Sequence, residues 1–258
     1  DRLAAADPTN HLAARQAAIC RLYLGKVELR RGRGKEARRW LLAALEDYDR
    51  LARTDPQSAA LQAGRLNLLQ NLAMLADHQG EHGEAAERYR AALALNERSR
   101  GREGAVDFKA GLLERGLAQV LAKAGRDEES LRAWEEAERH LAAAAAALPR
   151  DHRVLRNLLE ARLARARHHY TAGETGQALA ALGTTDPALV ERDPKLLLAL
   201  AGAHLVRGLC LHRRGEAERA RSAAEKAREM LERAPAPVQA RFPLRRALQE
   251  LEKSLAPR

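Results

Sequence analysis

Aromatic residues are scarce in this chain. They make up 3% of its 258 residues, whereas hydrophobic residues of all types make up 46%. Alanine and leucine supply most of that apolar content, and a β-sandwich would need more Val, Ile and Tyr to fill its core. Because alanine and leucine both favour the α-helix, the composition predicts an all-α protein.

Cysteine is also rare, with Cys20 and Cys210 as the two examples. Two cysteines so far apart do not form the disulfide framework of a small secreted domain. We expect two free, buried thiols, which are compatible with a reducing compartment and favour a cytoplasmic location.

Long hydrophobic runs are missing as well. The longest uninterrupted apolar segment, Leu141–Leu148, is mostly alanine and is far shorter than the roughly 20 residues that span a bilayer. We therefore expect no membrane insertion within this segment. Residues 1–6 resemble the last turns of a helix, so we expect the sequence to be a piece of a longer protein.

Lysine is the scarce cation. The chain carries 45 Lys+Arg against 35 Asp+Glu, for a net charge of +10, and nearly all of the positive charge is arginine. A basic balance is compatible with a nucleic-acid partner or an acidic protein partner. The alternative, which we favour, is a sequence that uses arginine instead of lysine beside glutamate on helix surfaces.

Two kinds of helix-ending signal alternate along the chain. Asp-Pro steps combine a good N-cap residue with a proline, which disfavours helix in the residue before it and suits the first turn of the next helix. They begin at Asp7, Asp55, Asp186 and Asp193. Between them lie glycines that can close a helix in the left-handed conformation: Gly32, Gly34, Gly80, Gly83, Gly125, Gly173, Gly176 and Gly215.

Apolar residues between these signals recur with the helical period, as at Leu61, Leu68, Leu72 and Leu75. Nothing alternates in the manner of a strand. The pattern predicts helices at about 9–31, 35–53, 56–79, 83–98, 103–123, 126–147, 151–172, 174–182, 194–213, 216–233 and 237–255.

Small residues recur in register across each glycine turn. The pairs lie twelve positions apart and are Gly25 with Ala37, Ala73 with Ala85, Ala118 with Ser130, Ala166 with Ala178, and Gly208 with Ala220. Small side chains at matched positions allow two helices to approach closely. The regularity predicts a chain of similar helical hairpins.

These residues resemble the tetratricopeptide repeat (TPR), whose consensus pattern is L-G-x2-Y on the first helix and A-x3-F on the second. Leu24-Gly25, Leu72-Ala73 and Leu117-Ala118 match the first part; Ala37 with Leu41, Ala85 with Tyr89, and Ser130 with Trp134 match the second. The resemblance implies a right-handed α-solenoid of about five hairpins over residues 1–234, with units at about 9–55, 56–101, 102–149, 150–193 and 194–234. Residues 235–258 are expected to form a capping helix, with Leu244, Leu248, Leu251 and Leu255 on one stripe.

The units are longer than the usual 34 residues. Two similar segments, Asp1–Pro8 and Asp49–Pro56, precede the first and second units. In this respect the chain resembles arrays that follow the catalytic domains of some bacterial serine/threonine kinases and signalling ATPases. That resemblance implies a bacterial signalling protein whose catalytic part lies outside these residues.

Residues for catalysis are not apparent in the sequence. There is no G-x-S-x-G, and the stretch Gly32–Lys35 lacks the first glycine and the Ser/Thr of a phosphate loop, so it is expected to be a turn. The pairs His78 with His82 and His168 with His169 lack the H-E-x-x-H spacing of a zinc site. We predict no enzyme activity, no metal and no cofactor.

The resemblance places a peptide-binding surface on the first helices of the hairpins. The corresponding positions are Lys26, Asn67, Gln70, Asn71, Met74, Arg115, Gln119, Arg167, Tyr170 and His212. Amides at i, i+3 and i+4 on one helix face can satisfy an extended peptide backbone, and an arginine can hold a carboxylate in a bidentate fork. An ordinary solvated face is the alternative for these positions.

The sequence thus favours a protein–protein interaction scaffold that binds a peptide or a partner domain of acidic character. The family's clamp for the C-terminal carboxylate of a chaperone is not expected, because Leu22, Leu112 and Gly116 replace its polar side chains. The alternative is an electrostatic nucleic-acid binder that uses six cations around the first turn, here called the turn cluster: Arg30, Arg31, Arg33, Lys35, Arg38 and Arg39. The lack of aromatics among these arginines speaks against single-stranded nucleic acid.

Overall fold

The computed structural model describes residues 11–98, 104–183, 194–235 and 245–255. The chain divides into two compact units, with the boundary between Ala133 and Trp134. Every regular element in the described residues is an α-helix, as the composition predicts.

Unit 1 contains five helices and the start of a sixth. They are α1 (His11–Arg30), α2 (Gly34–Thr54), α3 (Ala59–His78), α4 (His82–Glu97), α5 (Ala105–Lys123) and the first residues of α6 (Asp127–Ala147). Helix α1 packs against α2, α3 against α4, and the hairpins join where α2 meets α3 and α4 meets α5. The first helices of successive hairpins, α1 with α3 and α3 with α5, are also in contact.

Unit 2 contains the rest of α6 and the remaining helices. They are α7 (His152–Thr171), α8 (Thr175–Leu182), α9 (Pro194–Arg213), α10 (Ala217–Arg233) and α11 (Arg245–Leu255). Helix α9 packs against α7, α8, α10 and α11. The buried stripe of α11 consists of Leu248, Leu251 and Leu255, which are three of the four leucines that the sequence analysis placed on it.

The observed helix bounds agree with the predicted ones to within about three residues, apart from the two ends of the array. The predicted starts at 9, 103 and 237 lie outside the described residues, as do Leu244, the Asp-Pro steps at Asp7 and Asp186, and the aspartate of the step at Asp193. The division into five repeats and a cap remains a prediction.

The hairpin turns share one backbone geometry. A glycine with positive φ follows the first helix in each of them: Gly32, Gly80, Gly125, Gly173 and Gly215. At the first turn the N–H of Gly32 donates to the carbonyl of Leu29 (3.0 Å), and the N–H of Arg33 donates to the carbonyl of Glu28 (2.9 Å). This pair of bonds is the Schellman motif, which satisfies carbonyls at the helix end and requires the left-handed conformation. The predicted turn is confirmed at Gly32 and Arg33, whereas Gly34 and Lys35, which the prediction also placed in the turn, are the first residues of α2.

Small residues bring the helices of a hairpin close together, as the register predicts. A Cβ atom on Gly25 would lie 2.7 Å from the side chain of Leu41, which is fully buried. In the third hairpin the Ser130 hydroxyl donates to the carbonyl of Ala118 over 2.8 Å. A polar residue is accepted at this buried position because its hydroxyl has an acceptor.

Glycines also mark the seam between consecutive hairpins of unit 1. A Cβ atom on Gly64 of α3 would lie 2.1 Å from the Tyr48 ring of α2, and one on Gly116 of α5 would lie 2.5 Å from the Tyr89 ring of α4. Each tyrosine therefore packs directly on the backbone of the next hairpin's first helix. Unit 2 uses a leucine in the same way, with Leu163 against Gly202.

The expectation of two buried thiols is wrong for one of them. Cys210 is buried, whereas Cys20 is exposed, and neither forms a disulfide. Helix α1 turns Ala18 and Leu22 toward the core, and Cys20 lies two positions from each of them. A helix advances about 100° per residue, so Cys20 points to the opposite side.

One segment in the described part of the chain, Leu196–Arg213 of α9, is long and apolar enough to cross a membrane by length and composition. Within unit 2, 67% of that segment is buried. Burial of this kind is typical of the core helix of a folded domain, so the segment is weak evidence for a membrane span.

Candidate ligand-binding surface

The predicted amide stripe lies along α3. Asn67 and Met74 are exposed, with 46% of Met74 accessible, and Gln70 and Asn71 are half-buried between them. The side-chain amide of Asn71 donates to the backbone carbonyl of Asn67 over 2.5 Å, which fixes its rotamer. The stripe is thus an ordered polar surface on the first helix of the second hairpin.

A lysine that the sequence analysis did not select completes this stripe. Lys109, on α5, donates from Nζ to Oε1 of Gln70 (2.6 Å) and to Oδ1 of Asn67 (3.3 Å). The two amide oxygens are therefore already engaged. The NH₂ groups of Asn67 and Gln70 have no acceptor among the described residues and remain available as donors.

Lys109 carries a charge that its surroundings do not compensate. Burial lowers the pKa of the Lys109 ammonium, and the positive charge of Lys26 lowers that pKa further. No carboxylate of the described chain pairs with either lysine. An anionic group bound beside Lys109 would stabilise its charged form.

Three of the predicted residues line one open cavity of about 720 Å³. Lys26 contributes from α1, and Asn71 and Met74 contribute from α3. The cavity extends past the end of α1 to the first residues of α2, where Arg30 and Lys35 also line it.

A second cavity of about 660 Å³ lies at the other end of the stripe, between residues 52–67 and residues 96–109. Asn67 and Lys109 belong to its lining, together with Arg65. The Arg65 guanidinium is held by Asp49 through an Nε–Oδ1 contact of 2.7 Å. This arginine is therefore neutralised in place.

The remaining predicted residues of unit 1 lie on α5. Arg115 is half-buried and Gln119 is exposed. Neither lines the two cavities above. Their membership in the ligand-binding surface remains a prediction.

Unit 2 holds the other three predicted residues. Arg167 and His212 are exposed on α7 and α9. Tyr170 is engaged by Arg213, whose guanidinium carbon lies 3.7 Å from the centroid of the Tyr170 ring and whose Nη1 donates to the Tyr170 carbonyl over 2.8 Å. Because of this cation–π contact between α7 and α9, one face of the Tyr170 ring is covered by Arg213.

The turn cluster is only partly available to a ligand. Arg31 and Arg33 contact the carboxylate of Glu28, at 3.3 Å and 2.7 Å. Arg38 pairs with both Glu81 and Glu84. Ion pairs therefore neutralise half of the predicted cationic patch.

Arg162, Arg165 and His169 of α7 form a second basic cluster, and each of them contacts a glutamate. Glu138 accepts from Nε of Arg162 over 3.0 Å and contacts Nη2 of Arg165 at 3.1 Å. Nδ1 of His169 lies 2.7 Å from Oε2 of Glu174. These side chains hold unit 2 together, and they do not form an open anion site.

No group of three or more His, Cys, Asp or Glu side chains that could hold a metal ion exists within the described ranges. The prediction of no metal and no cofactor remains a prediction.

Three solved structures are similar to this chain over most of its length. BtubC (BKLC) from P. vanneervenii has a TM-score of 0.60 and 18% identity, covering 89% of this chain and 84% of that chain. A putative kinesin light chain of Podosopora anserina with nearly identical TPR-like repeats has a TM-score of 0.57 and 17% identity, covering 84% and 95%. The pilF protein of Pseudomonas Aeruginosa has a TM-score of 0.51 and 20% identity, covering 94% and 92%.

No protein-family profile and no curated protein sequence matches the chain. At identities of 17–20% a structural likeness defines the fold. The all-α, TPR-like fold class inferred from the residue pattern is confirmed, and the chain has the fold of the tetratricopeptide-repeat proteins.

Proposed function

We propose that this chain is a non-catalytic protein–protein interaction scaffold that binds an extended peptide of a partner protein along α1, α3 and α5 of unit 1. The observation that supports it most directly is the polar stripe of α3 beside Lys26 and Lys109. TPR-like hairpins place their first helices side by side, and in unit 1 these helices carry the amides and the uncompensated lysines.

The stripe matches the needs of an extended peptide. Such a peptide presents backbone carbonyls and N–H groups that must find partners when it leaves water. The NH₂ groups of Asn67 and Gln70 can donate to two of those carbonyls, and the side-chain oxygen of Asn71 can accept from an N–H. Because Lys109 fixes the first two amides, they lose little rotational entropy on binding.

The partner segment is proposed to be acidic. Burial lowers the pKa of Lys109, and the positive charge of Lys26 lowers that pKa further. A carboxylate beside the Lys109 ammonium would offset this penalty on its charged form. Arg167 of unit 2 is exposed and remains the candidate for a further acidic contact. A role in a bacterial signalling kinase remains a prediction from the similar segments Asp1–Pro8 and Asp49–Pro56.

The test is site-specific photocrosslinking in the native host. A photoreactive residue replaces Gln70 on the stripe, and the matched control carries it at Glu87, an exposed position on α4. We expect a protein crosslink at position 70 that is missing at position 87, with the crosslinked partner peptide identified by mass spectrometry.

A synthetic copy of that peptide is then titrated against the purified chain by fluorescence anisotropy. We expect Lys109→Met and Asn71→Ala to weaken binding at least tenfold, and Glu87→Gln to leave it unchanged. Equal crosslinking at both positions, or binding that is insensitive to Lys109→Met and Asn71→Ala, would contradict the proposal.

A further inference from the structure

The 720 Å³ cavity has an unusual charge balance at its turn end. It opens between α1, the α1–α2 turn and the last turns of α3. Its ionised lining side chains are Lys26, Arg30 and Lys35, His78 adds an imidazole, and no carboxylate is among the described residues that line it.

These three cations differ from their neighbours in the turn cluster. Arg31, Arg33 and Arg38 are each in contact with a glutamate. In contrast, no ion pair within the described residues involves Lys26, Arg30 or Lys35. Nζ of Lys26 lies 5.8 Å from the centroid of the Tyr23 ring. The three cations that line the cavity are therefore not paired with a carboxylate of the described residues.

Helix ends do not cancel this charge. The C-terminal ends of α1 and α3 each contribute about −0.5 charge near the cavity, and the N-terminal end of α2 contributes about +0.5. When these helix-end charges are added to the three full positive charges of the side chains, a net positive charge of more than about two remains. A single carboxylate would neutralise less than half of that excess.

A phosphate monoester matches the excess. It carries about −1.5 to −2 charge at neutral pH and three strong acceptor oxygens. Arginine supplies a planar pair of donors for such oxygens, and lysine supplies a point charge. Next to the cations, Leu29, Met74 and Leu75 form an apolar wall that can hold the organic part of the ligand. The volume lies in the range of small-molecule sites, about 300–1,000 Å³.

We propose that this cavity is a binding site for a phosphate monoester attached to an apolar or aromatic group, with Lys26, Arg30 and Lys35 holding the phosphate. The group can belong to a small organophosphate or to a phosphorylated side chain, and the test below separates these two sources. The site goes beyond the peptide surface proposed above, since Arg30 and Lys35 take no part in that surface.

The test uses the full chain and phenyl phosphate as the probe, with binding measured by isothermal titration calorimetry and NMR chemical shifts. Saturable binding is expected, with shifts at Lys35 and Met74. Benzoate and benzenesulfonate, which carry one charge each, are expected to bind at least fivefold more weakly. Equal binding of benzoate would overturn the assignment to phosphate.

A pair of charge-matched variants tests the location. Arg30→Gln with Lys35→Gln removes two cavity cations, and Arg39→Gln with Arg53→Gln removes two exposed cations of α2 outside the cavity lining. We expect the first pair to weaken phenyl phosphate binding at least tenfold and the second pair less than twofold. Equal weakening by both pairs would show general charge attraction and would reject the site.

Circular dichroism melting of both double variants checks their folding, and the single variant Lys26→Gln provides an independent loss of binding if the first pair unfolds. A short phosphotyrosine peptide that binds at least tenfold more tightly than phenyl phosphate would assign the group to a protein side chain; equal affinity would assign it to a free organophosphate. The crosslinking test does not use this probe, so either proposal can fail while the other stands.

Discussion

The Tyr89 ring of α4 packs directly on Gly116 of α5, where the second and third hairpins meet. A Cβ atom on Gly116 would lie 2.5 Å from Cε1 and Cζ of the Tyr89 ring. Burial raises the pKa of Tyr89 to about 12, as expected for a phenol packed away from water. The stacking of the third hairpin on the second therefore depends on glycine, which has no side chain, at position 116.

Gly116→Ala is predicted to destabilise the chain by about 1–3 kcal/mol, because the added methyl group overpacks the seam. The measurement is the midpoint of urea denaturation. Gly83→Ala is the matched control: a Cβ atom there meets nothing within 4 Å, and the change adds helix propensity to α4. It is expected to be neutral or to stabilise by up to about 1 kcal/mol. Equal losses in the two variants would show that close packing at Gly116 is not the cause.

His204 of α9 is predicted to make the stability depend on pH. Its Nδ1 is buried with no hydrogen-bond partner among the described residues. Burial, together with the charges of Arg207 and Lys226 and against the opposing charge of Glu229, lowers the pKa of His204 from 6.5 to about 4. Between these pH values the unfolded chain binds a proton that the folded chain does not, so stability is full above pH 6.5 and falls toward pH 4.

The free energy of unfolding is expected to fall by about 3 kcal/mol between pH 7 and pH 4. A pKa that drops from 6.5 to about 4 is worth about 1.4 kcal/mol for each unit, and His204 in the folded chain is still only half protonated at pH 4. His204→Gln should remove this part of the pH dependence when chemical denaturation is compared at pH 7 and pH 4. His212→Gln, at an exposed position of the same helix, should leave it in place. The prediction is wrong if both variants show the same pH dependence as the parent chain.

Glu138 is predicted to stabilise unit 2 through its two arginines. Its side chain is 18% exposed and contacts both Arg162 and Arg165. Glu138→Gln leaves two half-buried guanidinium groups without a carboxylate and should cost about 1–3 kcal/mol of unfolding free energy. Glu136→Gln breaks a pair with Arg139 that is 49% exposed on the glutamate side and should cost at most about 0.5 kcal/mol.

The nucleic-acid alternative is predicted to fail at physiological salt. Arg31, Arg33 and Arg38 carry glutamate partners, and phosphates would have to displace them. We expect no retention of duplex DNA or RNA in a mobility-shift assay at about 150 mM salt, where a site with many phosphate contacts still binds. Retention that decreases steeply with salt and is lost in Arg30→Gln with Lys35→Gln would restore this alternative.

Much of the fold could be predicted because its signals are local. Glycine at the end of the first helix and Asp-Pro at the joints act through backbone conformation, which depends on the residue itself and its neighbours. The register of Gly25 with Ala37 could be recognised because the two helices are joined by a short turn. The ends of α1 and α2 followed from these signals, whereas α3 begins at Ala59, after an N-cap at Ser58, and not at the predicted Pro56.

The candidate surface was harder to predict because its parts come from different hairpins. Asn67, Gln70 and Asn71 share a face of one helix, so spacing alone placed them together. Lys109 is on another helix, and nothing near it in the sequence indicates that it reaches Gln70. The exposure of Cys20 was missed because the apolar stripe of α1 did not reveal which side faces α2.

The sequence by itself determined the helices, their turns and the close packing within each hairpin, since these follow from backbone preferences and short-range periodicity. The tertiary structure alone decided that Tyr89 meets Gly116, which arginines are neutralised and which cations remain in the cavity. Those outcomes depend on contacts between residues far apart in the chain, and the free energy of a charge depends on the side chains that folding brings beside it.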